Sequence, residues 1–384
     1  MLRALLQPVF FVSMAFAFYT LAGYPLLLAL MACFRTRPVF KKSVPRTVTV
    51  LLPVRNGDHW LRGKLNSLLS LDYPSNLVDI LVISDGSTDQ TDAITEEFAS
   101  TGRVELVRIP GGGKAAALNA GLERARGEIL FFTDVRQEIA PESLRNLVDC
   151  FADPAVGAAS GELVIHDGTT HEEVSVGFYW KYEKWLRKRE SRIHSVMGTT
   201  GCIYAMRREL AVPLPAGTLV DDMYLPLAAF FRGYRVIFEE SAIAVDYPTS
   251  LDDEFRRKVR TQAGVYQILR LCPRLLIPHR MWVAFLSHKF ARLLLPFALL
   301  AAALSTPALR PPWRTPALIA QALFYGLALS DLWIPDRFPM KRLSAAFRSF
   351  VVLLAAAFCA AFVLFRPSDH VWKETRVRTA RPAP

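Results

Sequence analysis

Asp85, Asp134 and the adjacent pair Asp221 and Asp222 each border a short apolar run, and Lys114 opens a helical stretch directly behind three glycines. A carboxylate at the end of a strand accepts hydrogen bonds from a base or a ribose, which suits Asp85. Asp134 is of the type that ligates a metal neutralising a diphosphate. Asp221 and Asp222 stand before an apolar helical stretch, where one of them can take the proton of an acceptor hydroxyl as general base. The amides of Gly111-Gly-Gly-Lys114 can cradle phosphate at a helix start. That segment lacks the Gly-Lys-[Ser/Thr] ending of a P-loop, so ATP hydrolysis is not indicated. Each feature alone also has a plain structural reading. Asp-Gly-Ser is turn and cap composition, a glycine run is a flexible connection, and acids in a first helical turn favour the dipole.

Such residues need elements to position them. Segments 47–54, 78–84, 127–132 and 156–160 are short apolar runs that read as buried strands, the first two as parallel ones. Between and after them, 60–70, 89–99, 114–125 and 172–192 space their apolar residues as helices do. Alternating strand and helix predicts βαβ units, and in such sheets ligands bind outside the carboxyl ends of strands. Pro53 to Asn56, Asp85 to Ser87 and Thr133 to Arg136 occupy three of those ends.

The flanks have another character. The chain has 384 residues, is 52% hydrophobic and carries a formal net charge of +11. No charge occurs from 4 to 34, a run long enough to cross a hydrocarbon core of ~30 Å. Arg35, Arg37, Lys41, Lys42 and Arg46 follow it, and the positive-inside rule puts the next domain in the cytoplasm. Three further uncharged runs, 293–309, 315–330 and 349–365, lie at the lower limit of spanning length. Three late spans conflict with a basic tail holding Arg366, Lys373, Arg376, Arg378 and Arg381, so one run is expected to be re-entrant or interfacial. The 172–192 helix mixes Phe178, Tyr179, Trp180, Tyr182 and Trp185 with basic residues, as a helix at a membrane interface does, though a surface helix with an aromatic core face has the same composition. Basic charge beside apolar runs points to membrane lipids and not to nucleic acid. The five cysteines are scattered, which indicates neither a zinc site nor a disulfide framework.

Taken in order, these residues resemble the inverting glycosyltransferases of family 2, in particular the membrane-integrated branch of cellulose, chitin, hyaluronan and poly-N-acetylglucosamine synthases. The resemblance runs from about Val48 to Gly264. Pro53 and Asn56 match a P-x-x-N motif, Asp85 to Asp89 the nucleotide-contacting D-G-S-x-D motif, and Lys114 with Asn119 a K-A-x-x-x-N segment. Gly201, Tyr204 and Arg207 fall in the acceptor-side G-x-x-x-A-x-R stretch, and Asp222 falls where the catalytic base of the E-D motif lies, with Asp221 in place of the glutamate. Two motifs depart. The metal motif D-x-D is replaced by Phe132 to Gln137, the F-T-D-x-R-Q of a subgroup, leaving Asp134 as metal ligand and Arg136 as a diphosphate contact. Of Q-x-x-R-W only Arg260 survives, within Arg257 to Thr261, so a flat stacking surface for sugar is missing.

The resemblance implies a GT-A-like α/β domain with a mainly parallel sheet, flanked by transmembrane helices. Expected boundaries are an anchor at 1–36, the transferase domain at 45–250, interfacial helices at 251–282, membrane or interfacial helices at 283–366 and a basic tail at 367–384. Donor-side residues would be Pro53, Asn56, Asp85, Lys114, Asn119, Arg136 and Arg260. Acceptor-side residues would be Gly201, Tyr204, Trp180 and Trp185, with magnesium or manganese as cofactor. The implied activity moves a sugar from a nucleotide-sugar, of the UDP type, to a saccharide during polysaccharide synthesis at a bacterial inner membrane. Transfer of one sugar to a lipid-linked acceptor is the first alternative, and a non-catalytic membrane scaffold the second.

Overall fold

The computed structural model describes residues 2–165, 171–247, 251–335 and 338–364. The 367–384 tail, Arg366 and the side chains of Phe178 and Tyr179 lie outside the described residues. The chain divides into two compact units. One comprises Ala32–His166 and Arg187–Tyr247, the other Met1–Met31, Asp167–Leu186 and Pro248–Pro384. Residues 167–186, within the expected 45–250 domain, thus group with the apolar unit.

The first unit is built on an eight-stranded sheet: β1 (Val48–Val54), β2 (Val78–Asp85), β3 (Val104–Ile109), β4 (Ile129–Phe132), β5 (Glu138–Ile139), β6 (Val156–Ile165), β7 (Tyr204–Arg207) and β8 (Arg235–Asp246). Their spatial order is β3-β2-β1-β4-β7-β6-β8-β5. β3, β2, β1 and β4 are parallel, as the apolar runs predict for β1 and β2, while β3 was not among the expected strands. β7 runs antiparallel to both neighbours, β6 and β8 are parallel again, and β5 is antiparallel to β8, so the whole sheet is mixed. Helices cover both faces. Asp58–Leu69 buries Leu61, Leu65 and Leu68 in one core cluster with Val50, Leu52, Ile80 and Val82. Gly113–Arg124 packs with Gly121 against Leu51 and Ile83, where a Cβ would come within 2.9 Å of the Leu51 side chain.

In the other unit, three helices among the described residues are long and apolar enough to cross a membrane: Leu5–Phe34, Trp282–Ala308 and Met340–Leu364. The expected run at 315–330 lies in Arg314–Ser330, a helix of 17 residues that is not among them. Two buried carboxylates pin this unit. Glu183 receives His288, Lys289 and Arg292, at 3.1, 3.0 and 2.5 Å. Asp331 accepts from Ser344 at 2.7 Å and pairs with Lys341 at 3.2 Å and Arg348 at 3.3 Å. A buried carboxylate is tolerated only when paired in this way.

Gly127, which leads into β4, offers a direct check on how the starts of β1 and β4 pack in the middle of the sheet. A Cβ there would lie 2.5 Å from the Thr49 amide nitrogen and 2.7 Å from the Val48 carbonyl carbon, and main chain cannot retreat as a side chain does. Gly127→Ala is expected to destabilise the protein by about 1–3 kcal/mol, read as a lowered thermal midpoint in detergent. An unchanged midpoint would contradict the packing described.

Candidate functional site

The site forms where β1, β2 and β4 end. Gly86, at φ +63°, turns the chain after β2 so tightly that a Cβ would stand 3.2 Å from the Pro110 oxygen and Gly111 nitrogen. This apposition brings the glycine loop over Asp85. The buried Asp85 carboxylate accepts hydrogen bonds from the Gly112 amide at 2.7 Å and the Gly113 amide at 3.1 Å. Those amides were expected to cradle phosphate, and here they hold Asp85. Charge-assisted bonds of this kind contribute about 1.5–3 kcal/mol each. They fix the start of the Gly113–Arg124 helix and with it Lys114.

Asn56 ties the β1 end to the same region. At φ +51°, it accepts a bond from the Thr88 amide at 2.8 Å, while its own amide donates to Ser87 Oγ at 3.1 Å. Asp89 accepts from the Asp58 and Thr91 amides, both at 3.0 Å. Burial pushes the Asp89 carboxyl up, but the hydrogen bonds it accepts prevail and hold it below its usual value. Pro53 is half-buried at the same strand end.

Lys114 is the hub. Its Nζ lies 3.0 Å from Asp134 Oδ1 and 3.2 Å from Asp221 Oδ1. Burial would discharge it, but Asp134, Asp221 and Asp222 together raise its pKa, so it stays an ammonium. Asp222 is affected the opposite way. Burial first and the Asp221 charge second push its carboxyl up to about 6, with Lys114 opposing. Asp222 lies against Gly201, where a Cβ would come within 3.0 Å of Asp222 Oδ2, and its carbonyl accepts from the Thr199 amide and hydroxyl, each at 2.8 Å. Tyr204 is fully buried, stacked on Phe132 with ring centres 4.4 Å apart. Two buried polar atoms here lack hydrogen-bond partners, Asp221 Oδ2 and the Tyr204 hydroxyl.

Other expected residues are engaged differently. Asn119 forms a reciprocal pair with the Leu214 main chain, 2.9 Å to its carbonyl and 2.8 Å from its amide, and so anchors the segment leading to Asp221. Arg136 reaches not toward the carboxylate cluster but to Asp246, 2.5 Å away, which also receives Gln137 at 2.9 Å. Arg260, Trp180 and Trp185 belong to the apolar unit, where each is half-buried. Trp180 there contacts Arg257 and Lys258, 4.9 and 5.0 Å from its ring centre.

Sequence reasoning missed two buried cations. Lys64, 2% exposed, donates to Thr133 Oγ1 and the Gln137 carbonyl, both at 2.6 Å, beneath the Thr133-Asp134 segment. Burial lowers its pKa to about 7. Arg187, one of the basic residues of the 172–192 helix, is 7% exposed. A lysine on the apolar face of a helix, between Leu61 and Leu65 on one side and Leu68 on the other, was the available signal for Lys64.

Among the described residues no group of three His, Cys, Asp or Glu side chains could hold a metal. Three carboxylates face one ammonium, however, and Asp134 keeps 41% of its side chain exposed. An acidic cluster repels a diphosphate unless a cation joins it, and magnesium typically takes one or two carboxylates and completes its shell with phosphate oxygens and water. The donor set fits on those terms.

The model for "Glycosyl transferase family 2" matches residues 49–212, and that for "Glycosyl transferase family group 2" matches 137–363, more than half of the chain. The probable glycosyltransferase YdaM of Bacillus subtilis is 25% identical over 66% of this chain and 65% of its own length. The poly-beta-1,6-N-acetyl-D-glucosamine synthase of Staphylococcus epidermidis is 22% identical over 58% and 55%. The chain thus spans less than two thirds of these curated relatives. Among solved structures, the mannosyltransferase PcManGT from Pyrobaculum calidifontis, in complex with GDP-Man and Mn2+, has a TM-score of 0.75 at 23% identity, covering 94% of this chain and 99% of its own. That likeness establishes the fold, a GT-A-like α/β domain with apolar helices on both sides of it in sequence.

The clasp on the glycine loop has its own test. Asp85→Ala is expected to speed hydrogen exchange of the Gly112 and Gly113 amides by at least about tenfold, the equivalent of one lost hydrogen bond. Exchange at wild-type rates would show that Asp85 does not hold the loop.

Proposed function

Because the chain belongs to glycosyl transferase family group 2, we propose that it moves a sugar from a nucleotide-sugar donor to an acceptor hydroxyl, with Asp222 as base. The observation that carries this reading is the carboxylate cluster gathered around Lys114, with the Asp222 carboxyl pushed up to about 6. In a single displacement, the Asp222 carboxylate takes the proton of the acceptor hydroxyl. The freed oxygen attacks the anomeric carbon as the bond to the diphosphate breaks, and the nucleoside diphosphate leaves with its electron pair. The sugar configuration inverts, and no covalent enzyme intermediate forms. Asp134 would hold a divalent ion whose charge offsets that of the diphosphate. Lys114 supplies a positive charge on the same side, and Asp85 orders the loop in front of it.

A saccharide acceptor is supported by the relative named poly-beta-1,6-N-acetyl-D-glucosamine synthase, and a UDP-sugar donor fits the same reading. The missing tryptophan after Arg260 favours a second reading, transfer of one sugar to a lipid-linked acceptor. Both call for a membrane protein. Three apolar helices and the basic residues at 35–46 support a cytoplasmic catalytic unit at an inner membrane.

Asp222 must be ionised to act, so a carboxyl raised to about 6 gives a rate that is flat above that pH and falls about tenfold per unit below it. The measurement is donor turnover by protein in lipid vesicles, with UDP-N-acetylglucosamine, UDP-glucose and GDP-mannose as probes. Asp222→Asn is expected to lower turnover by about 100- to 10,000-fold while the fold is kept. Near-normal turnover in the folded variant would remove Asp222 as the base.

A further inference from the structure

Arg187 lies among basic and aromatic residues whose composition suggests a membrane surface, yet its guanidinium is buried in the sheet unit. Nη1 donates to Thr200 Oγ1 at 2.9 Å, and Nη2 donates to Ser160 Oγ at 2.8 Å and to the Gly198 carbonyl at 3.3 Å. Its centre stands 4.9 Å from the Phe238 ring. Ser160 Oγ in turn accepts from the Thr200 amide at 2.8 Å, and the Thr200 hydroxyl donates to the Gly161 carbonyl at 2.8 Å. The guanidinium fork therefore locks β6 to the 198–201 loop.

That loop is what Asp222 rests on. Thr199 holds the Asp222 carbonyl with two bonds of 2.8 Å, and Gly201 leaves only the space that the Asp222 carboxylate fills. A planar donor fork with three neutral acceptors fixes distance and angle together, which a lysine at the same place could not reproduce. We infer that Arg187 is a positioning residue for the transfer reaction, setting the placement of Asp222 through Thr200, Ser160 and the 198–201 loop without touching substrate. The inference rests on the transfer reading above. The Arg187 charge also favours the ionised form of Asp222, in the same direction as Lys114.

The test is a double-mutant cycle on turnover of UDP-N-acetylglucosamine, UDP-glucose and GDP-mannose by the full chain in vesicles. Misplacing a base by about 1 Å costs about 100-fold, so R187Q is expected to lose that much kcat with donor KM changed less than about threefold. T200V, which removes one acceptor of the fork together with the hydroxyl's bond to the Gly161 carbonyl, is expected to lose about tenfold, and R187Q with T200V no more than R187Q alone, because both cut one network. R187K should recover part of the loss. A folded R187Q with kcat within about twofold of wild type, or losses that multiply in the double variant, overturns the positioning role and leaves the transfer reading intact. Should R187Q not fold, T200V decides, its kcat either dropping or staying within about twofold. Wild-type protein that turns over none of the three donors overturns the transfer reading, and this inference with it.

Discussion

Three carboxylates packed at the ends of neighbouring elements repel one another, and the single Lys114 ammonium is what lets Asp134 and Asp221 face the same point. Much of the surrounding detail serves that contact. Gly86 and the glycine loop close on each other, Asp85 captures two loop amides, and the helix start that carries Lys114 is fixed as a result. Remove the ammonium and the cluster has like charges at short range with little water to screen them. In the proposed reaction, the same imbalance is what draws in a cation and with it a diphosphate.

The sheet supplies the second half of the arrangement. β7 enters antiparallel between β4 and β6, so the 198–203 turn that precedes it arrives beside the end of β4, with Tyr204 stacked on Phe132. The residues proposed for the donor side come from the ends of the parallel strands β1, β2 and β4. The loop under Asp222 comes from the antiparallel insertion, and the Asn119 clasp on Leu214 steadies the approach to Asp221. One sheet thus joins two parts of the chain about a hundred residues apart in sequence.

What sequence pattern encodes locally was legible. Buried strands at β1, β2, β4 and β6, the helices between them and the strand-end acids follow from periodicity and turn composition, because each is decided within a few residues. Long-range pairing was not. Nothing near Arg136 announces that its partner is Asp246, 110 positions away, nor near Asn119 that it will bind the Leu214 main chain. Arg187 was misplaced for a related reason: a basic and aromatic run is read as a surface until Ser160, Thr200 and Phe238 close over one member of it. Lys64 gave a weak signal, a cation on an apolar helix face, whose meaning depended on Thr133 and Gln137. The late apolar runs were found by composition, and helix length separated Arg314–Ser330 from the spanning candidates.

The central claim is that Asp222 acts in one displacement at the anomeric carbon, with no carboxylate forming a bond to the sugar. The most direct measurement is the anomeric configuration of the newly formed linkage, followed by proton NMR while the vesicle-bound protein consumes an α-configured nucleotide-sugar. A β-configured first product is what the arrangement of Asp222 and Lys114 predicts. An α-configured first product would mean retention, and would contradict the assignment of Asp222 as a base acting in a single step.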